Sequence, residues 1–237
     1  MGLLARAQAG ASAPAEPEYN PVTDHDWAVA YEFGLLTQYQ DEARTIPCTQ
    51  TTPIYSATDG SGNDRHASQA TSTARPTLTT VDGVVCAGFD GGDWLQALGF
   101  TLTQPNHVIV IGKVTELIAT HAFVDSALTS ARHYIRRESA SSLFRAYAGN
   151  NVNGDSGDSN WHTFEFEVNG ANSIFRVDAV DHTGTTQSHN LNGITLGAAF
   201  DANAKLIGCI RAVFVADAIL DAAALTQIRD YYNGILP

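Results

Sequence analysis

Glu165 and Glu167 stand two residues apart in WHTFEFEV (161–168), a spacing that puts both carboxylates on one face of an extended strand. Retaining glycosidases hold an acid and a nucleophilic carboxylate about 5 Å apart. Positions i and i+2 of a strand lie ~6.5 Å apart, so the pair fits that chemistry in outline. The other face of the same stretch carries His162, Phe164, Phe166 and Val168. A half-exposed strand makes this alternation without any catalytic purpose, and the expectation is that the two glutamates lie on a solvated face.

The aromatic residues Trp94, Tyr134, Tyr147 and Trp161 have the flat, amphipathic rings on which sugar rings stack, although in a β-sandwich such residues more often fill the core. RHYIRRE (132–138) is the one dense basic stretch, and it contains Arg136. It suits an acidic sugar or an acidic partner surface, with a salt-bridged surface strand as the simpler account. The candidate ligand-binding residues are therefore Tyr134, Arg136, Tyr147, Trp161, Glu165 and Glu167.

Metal and nucleophile chemistry find less support. Asp155 and Asp158 sit in an oxygen-rich loop, GNNVNGDSGDSN, and Asp59, Asn63 and Asp64 in another, DGSGND. Either could offer oxygens to Ca²⁺, but neither has the spacing of a calcium loop and both compositions are ordinary turn chemistry. The eight histidines show no ligand pattern and no serine occupies a Gly-x-Ser-x-Gly elbow. No cofactor is expected. Cys48, Cys86 and Cys209 are odd in number and far apart. The latter two lie in apolar runs, where a buried thiol is the simpler reading and a disulfide the alternative.

The chain that positions these groups has 237 residues, enough for one large β domain, and 44% of them are hydrophobic. Charged residues make up only 16%, so much of the surface is neutral Thr, Ser, Asn and Ala. Acidic residues outnumber basic ones 25 to 13, for a net charge of −12. A nucleic-acid partner needs clustered Lys and Arg and is not expected. No run approaches the ~20 apolar residues of a membrane span. The N-terminal stretch lacks the apolar centre of a secretory signal, and Arg6 breaks the myristoylation pattern that Gly2 would begin.

Residues 1–26 are rich in Ala, Pro and Ser and read as an extended arm, either disordered or laid against a neighbouring subunit. From Trp27 onward the signals are those of strands: VVCAGF (84–89), HVIVIGKV (107–114), RHYIRRE, SLFRAYA (142–148), WHTFEFEV and SIFRVDAV (173–180), the last two joined by NGAN. KLIGCIRAVFVAD (205–217) is apolar at nearly every position, so both of its faces should be covered. LDAAALTQIRDYYNGILP predicts a terminal helix with Asp221 as its cap, Leu225, Ile228 and Tyr232 on its buried face, and Gly234 as its stop. Many strands and one helix predict an antiparallel two-sheet sandwich spanning 27–237.

Taken in order, these stretches resemble a known family. IYSATDGSGNDRHASQATSTARPTL followed by GVVCAGFDGGDWLQ, the W-H strand WHTFEFEVNG, and the closing strand with its helix are similar to laminin-G-like, concanavalin-A-like jelly-roll domains of bacteriophage virion proteins. The resemblance implies two stacked sheets of about fourteen strands with a C-terminal capping helix. It also implies that DGSGND is scaffold, with Gly60 and Gly62 permitting turns and His66 packed or hydrogen-bonded beneath them. Catalytic relatives carry acidic residues at three alternate positions of one strand, whereas here Thr163 precedes Glu165 and Asn169 follows Glu167. The expectation is a non-enzymatic structural protein on the surface of a phage particle, homo-oligomeric and held to other virion proteins by its arm. The alternatives are a glycan-binding host-attachment module and, behind it, a glycoside hydrolase.

Overall fold

The computed structural model describes residues 19–128 and 132–237. Most of the expected arm, residues 1–18, lies outside the described residues. Its remainder does not extend away from the domain: Val22 is buried, and Tyr19 packs against the same apolar cluster as the terminal helix.

Sixteen strands form among the described residues. In chain order they are β1 (Val29–Glu32), β2 (Ser56–Ala57), β3 (Ala67–Ser68), β4 (Thr77–Val81), β5 (Val84–Asp90), β6 (Leu95–Leu102), β7 (Asn106–Val114) and β8 (His121–Asp125). There follow β9 (His133–Arg137), β10 (Leu143–Ala148), β11 (Asn151–Ser156), β12 (His162–Val168), β13 (Ser173–Val177), β14 (Val180–Gly184), β15 (Leu191–Leu196) and β16 (Ile207–Ala216). One sheet runs β14-β13-β12-β7-β16-β5-β4, with β1 also paired to β16; the other runs β11-β10-β9-β8-β15-β6-β3-β2. Every pairing between strands is antiparallel. The chain is an antiparallel two-sheet jelly-roll sandwich of the concanavalin-A-like kind, closed by the helix α1 (Ala222–Asn233).

The period-two pattern decides which face is inside. Phe164, Phe166 and Val168 of β12 point between the sheets, where they meet Phe123, Ile135, Phe144 and Ala146 from the other sheet and Val213 and Val215 from β16. Their burial is the main stabilising term, about 1.5–3 kcal/mol for each large side chain. The alternate residues of the same strands face away from this core and find a second one. Ile109, Ile111, Ala212 and Phe214 pack beneath Leu225, Ile228 and Tyr232 of α1. This double covering explains why β16 is apolar almost throughout: a strand with neither face in water has no polar phase to keep.

α1 begins as expected, with the Asp221 side chain accepting a hydrogen bond from the Ala224 N–H at 2.8 Å. It ends at Gly234, but that residue stays right-handed at φ −76°, its N–H shared among the last carbonyls. The reading of SIFRVDAV as one strand is corrected. The chain reverses at Asp178 and Ala179, with φ of 49° and 69°, and β14 returns alongside β13. Two consecutive left-handed residues are what a tight hairpin requires, and here neither is the glycine or asparagine that would mark it in the sequence.

Candidate functional site

The six candidate residues do not form one cluster. They divide between the two outer faces of the sandwich, because Tyr134, Arg136 and Tyr147 belong to one sheet and Trp161, Glu165 and Glu167 flank or lie on β12 of the other.

The β12 face is closed. Glu165 is only 1% exposed, which overturns the expectation of a solvated carboxylate there. It lies beneath α1, where Arg229 donates from Nε and Nη2 to its two carboxylate oxygens, each at 2.6 Å. Glu167 is half-buried and accepts a longer bond from Arg176 at 3.4 Å. Arg176 also donates to Asp181 at 2.6 Å. His107 stands opposite Glu167 in the sheet and is fully buried, with neither ring nitrogen hydrogen-bonded among the described residues. Burial first, and then the Arg176 and Arg229 charges, press its pKa down to about 3, so it is neutral. Each glutamate is thus already engaged by a guanidinium, and the helix bars approach to Glu165.

Trp161 packs at the edge of the same face with Val84, Cys86 and Cys209. Its indole N–H donates to Asp82 at 3.2 Å, and the residue is 8% exposed, which leaves no ring face for a sugar. It borders a cleft of about 310 Å³ with Thr163, Asp178 and Arg229. Cys86 and Cys209 are buried free thiols, and Cys48 is half-buried and also free. Trp94, the remaining aromatic candidate for stacking, is half-buried near the start of β6.

The outer face of the second sheet is built differently. Since Ile135, Phe144, Ala146 and Ala148 point to the core, the alternate residues Tyr134 and Arg136 of β9, and Arg145 and Tyr147 of β10, point outward. Register pairs them directly: Tyr147 lies opposite Tyr134, and Arg145 opposite Arg136. The tyrosine rings stack in parallel, 4.8 Å between centroids and 6° between planes, a contact worth about 0.5–1.5 kcal/mol beyond its buried area. Asn151 and Asn153 of β11 complete the rows. Asn151 accepts from the Tyr134 hydroxyl at 2.9 Å, and Asn153 from Arg145 Nε at 2.9 Å.

Cations surround the ring pair. Arg136 lies over the Tyr134 ring at 4.3 Å, and Arg132 lies over it at 5.1 Å and over Phe200 at 4.4 Å. Arg132 is held by Asp125, with Nη2 to Oδ2 at 2.5 Å and Nε to Oδ1 at 3.1 Å. Asp125 is wholly buried, and burial pushes its carboxyl up against the opposing pull of that guanidinium. Arg136 and Arg145 share one carboxylate oxygen, Glu138 Oε2, at 2.5 and 3.3 Å. Tyr134 is itself buried, while Tyr147, Arg136 and Arg145 are half-buried and Asn151 and Asn153 exposed. Among the described residues the result is a partly exposed shelf with an aromatic wall, amide groups on one side and guanidinium groups on the other. Of its members the sequence reading singled out Tyr134, Arg136 and Tyr147. It missed Arg145, Asn151 and Asn153, whose signal was the outward phase of SLFRAYA and of the strand after it.

The DGSGND loop is tied into the fold by its own hydrogen bonds. The buried Asp59 carboxylate accepts from the Ala30 and Ser61 N–H groups, the Ser61 hydroxyl and the Arg65 N–H, at 2.8 to 3.0 Å. His66 Nδ1 accepts from the Asp59 N–H at 3.0 Å, and Gly62 supplies the left-handed residue at φ 82°. Asp158 is taken up by Asn160 and His162, and Asp155 by His182. Among the described residues no group of three or more His, Cys, Asp or Glu is placed to hold a metal ion.

No family model matches the chain, and no curated protein matches it. Solved structures do. Trypanosoma rangeli sialidase in complex with 2,3-difluorosialic acid superposes with a TM-score of 0.60 and 10% identity, over 89% of this chain and 34% of that one. A GH54 α-L-arabinofuranosidase mutant soaked with 4-nitrophenyl α-L-arabinofuranoside gives 0.61 and 11%, over 86% and 62%. Domain 4 of AbnA, a GH43 extracellular arabinanase from Geobacillus stearothermophilus, in complex with arabinotriose, gives 0.55 and 13%, over 76% and 98%. The chain therefore spans about a third of the length of the sialidase, 34%. At these identities the likeness is one of architecture, and the chain shares with these proteins the jelly-roll β-sandwich.

Proposed function

We propose that this protein is a non-catalytic carbohydrate-binding module that holds glycan on the outer face of β9–β11. The observation that carries the reading is the stacked Tyr134–Tyr147 pair flanked by Arg136, Arg145, Asn151 and Asn153 on one exposed shelf. Sugar recognition needs a flat apolar surface for the ring's C–H face and nearby planar donors and acceptors for its hydroxyls. The shelf supplies both. Support also comes from the domain of the arabinanase, whose complex holds arabinotriose and which the chain matches over nearly that domain's whole length, 98%. A non-catalytic role is favoured because Glu165 is buried under α1 and its carboxylate is occupied by Arg229.

The carrier we propose for the module is a phage particle, with the segment before the sandwich as its attachment to other virion proteins and copies of the chain. What supports this is the sequence resemblance. The test of the binding role is a glycan array followed by titration calorimetry with the full chain. A glycan bound by the wild type and lost in Tyr147→Ala, but kept in Trp161→Phe, is the expected result. Binding that survives Tyr147→Ala unchanged would move the site elsewhere.

A further inference from the structure

Resting on that carbohydrate reading, we propose that the shelf selects glycans bearing carboxylate groups, the uronic-acid class of sugar. The protein as a whole carries a net charge of −12, which repels acidic polymers. The shelf departs from that background. Arg132, Arg136 and Arg145 gather on it: Arg132 faces the carboxylates of Asp125 and Asp201, whereas Arg136 and Arg145 are ion-paired with Glu138 between them.

The way those charges pair decides where the surplus sits. Asp125 is used up by Arg132, two oxygens to two guanidinium nitrogens. Glu138 instead serves two guanidinium groups through a single oxygen, Oε2, so Arg136 and Arg145 together hold one positive charge more than they are given. Arg136 Nε is buried with no hydrogen-bond partner among the described residues. Both side chains are about one-fifth exposed, 21% and 18%, so their field is only partly screened.

Position turns surplus charge into selectivity. Arg145 and Tyr147 are two apart on β10 and face the same way, ~6.5 Å from one another along the strand. A sugar ring resting against Tyr147 therefore presents its substituents to Arg145 and, across the register pair, to Arg136. A carboxylate there meets planar guanidinium donors whose geometry matches its own. A hydroxymethyl group in the same place gains no such bond.

The test uses the full chain and four polymers: polygalacturonate, the same polymer methyl-esterified, neutral arabinan, and dextran sulfate as a measure of bare charge. Expected is binding to polygalacturonate that weakens about tenfold on methyl esterification and that weakens similarly in an Arg136→Gln/Arg145→Gln variant of unchanged melting temperature. The esterified polymer makes the comparison without altering the protein, so a variant that fails to fold does not spare the proposal. Equal affinity for the free and esterified polymers overturns it, as does dextran sulfate bound as tightly as polygalacturonate. Arabinan bound through Tyr147 with no preference for acid would sink the selectivity and leave the carbohydrate reading standing. Silence in all four arms would count against both.

Discussion

Arg229 grips Glu165 through two parallel hydrogen bonds of 2.6 Å, and in doing so ties the terminal helix to the centre of a sheet 64 residues earlier in the chain. The carboxylate is 1% exposed while the guanidinium is 23% exposed, so the pair is asymmetric: one partner could go back to water and the other could not. Arg176 Nη1 makes a second, longer ion pair with Glu165 Oε2 at 3.9 Å.

Removing Arg229 takes away both short hydrogen bonds and leaves the buried Glu165 carboxylate to the longer Arg176 ion pair. Arg229→Ala is expected to destabilise the fold by about 3 kcal/mol, within the range for breaking a buried pair. The double variant Glu165→Met/Arg229→Met should recover most of that loss, since a well-packed apolar pair carries no desolvation cost. Urea unfolding of the wild type and the variants measures this. A loss under 0.5 kcal/mol in Arg229→Ala would show that α1 is held by its apolar face alone.

Tyr147 is half-buried, stacked on Tyr134 and met at 6.1 Å by the His189 ring. Tyr147→Ala should lower affinity for the bound glycan by at least about tenfold, equivalent to ~1.4 kcal/mol, while leaving the melting temperature within a few degrees. Tyr134→Ala should cost stability as well, because that ring is buried and its hydroxyl is bonded to Asn151. Calorimetric titration and thermal unfolding on the same samples separate the two effects.

The His162 imidazolium donates from Nδ1 to the Asp178 carboxylate at 2.6 Å and from Nε2 to that of Asp158 at 2.8 Å. Burial lowers its pKa, but the hydrogen bonds and charges of the two aspartates outweigh burial and raise it. A raised folded pKa means that the imidazolium stabilises the fold fully below the ordinary histidine value of ~6.5, and that this contribution is lost as pH rises through the folded value. The stability difference between wild type and His162→Gln should be largest at pH 5 to 6 and shrink toward pH 9. A difference independent of pH would mean that the fold does not raise the His162 pKa.

His107 carries the opposite sign. Its pKa is pushed down to about 3, mainly by burial and then by Arg176 and Arg229. The unfolded chain takes up its proton near pH ~6.5, so the native state loses stability as pH falls below that point. His107→Phe should blunt the acid sensitivity between pH 6 and 4, a change visible in urea midpoints across that range. If the variant and the wild type lose stability in parallel, His107 is protonated in the fold and the account given for it is wrong.

Much of the sandwich was legible in the residues. The strict alternation of WHTFEFEV located β12 and its inward face, and the unbroken apolar character of 205–217 announced a strand covered on both sides. The Asp221 cap and the Leu225, Ile228, Tyr232 spacing located α1. Turns built from ordinary residues were not legible. The hairpin at Asp178 and Ala179 has no glycine, and its left-handed conformations are imposed by the pairing of β13 with β14.

The candidate site shows the same division. Period-two alternation says that Glu165 and Glu167 leave the core together, but not whether they meet water, because what covers that face is a helix more than fifty residues onward. Likewise Tyr134 and Tyr147 are simply aromatics in two strands until β9 and β10 pair in the register that stacks them. Local pattern determined the strands, their inner faces and the helix, because backbone geometry couples adjacent residues directly. Which outer face a helix covers, and which carboxylates its arginines meet, was decided by tertiary structure alone, since burial and charge pairing depend on neighbours that only the packed sheets bring together.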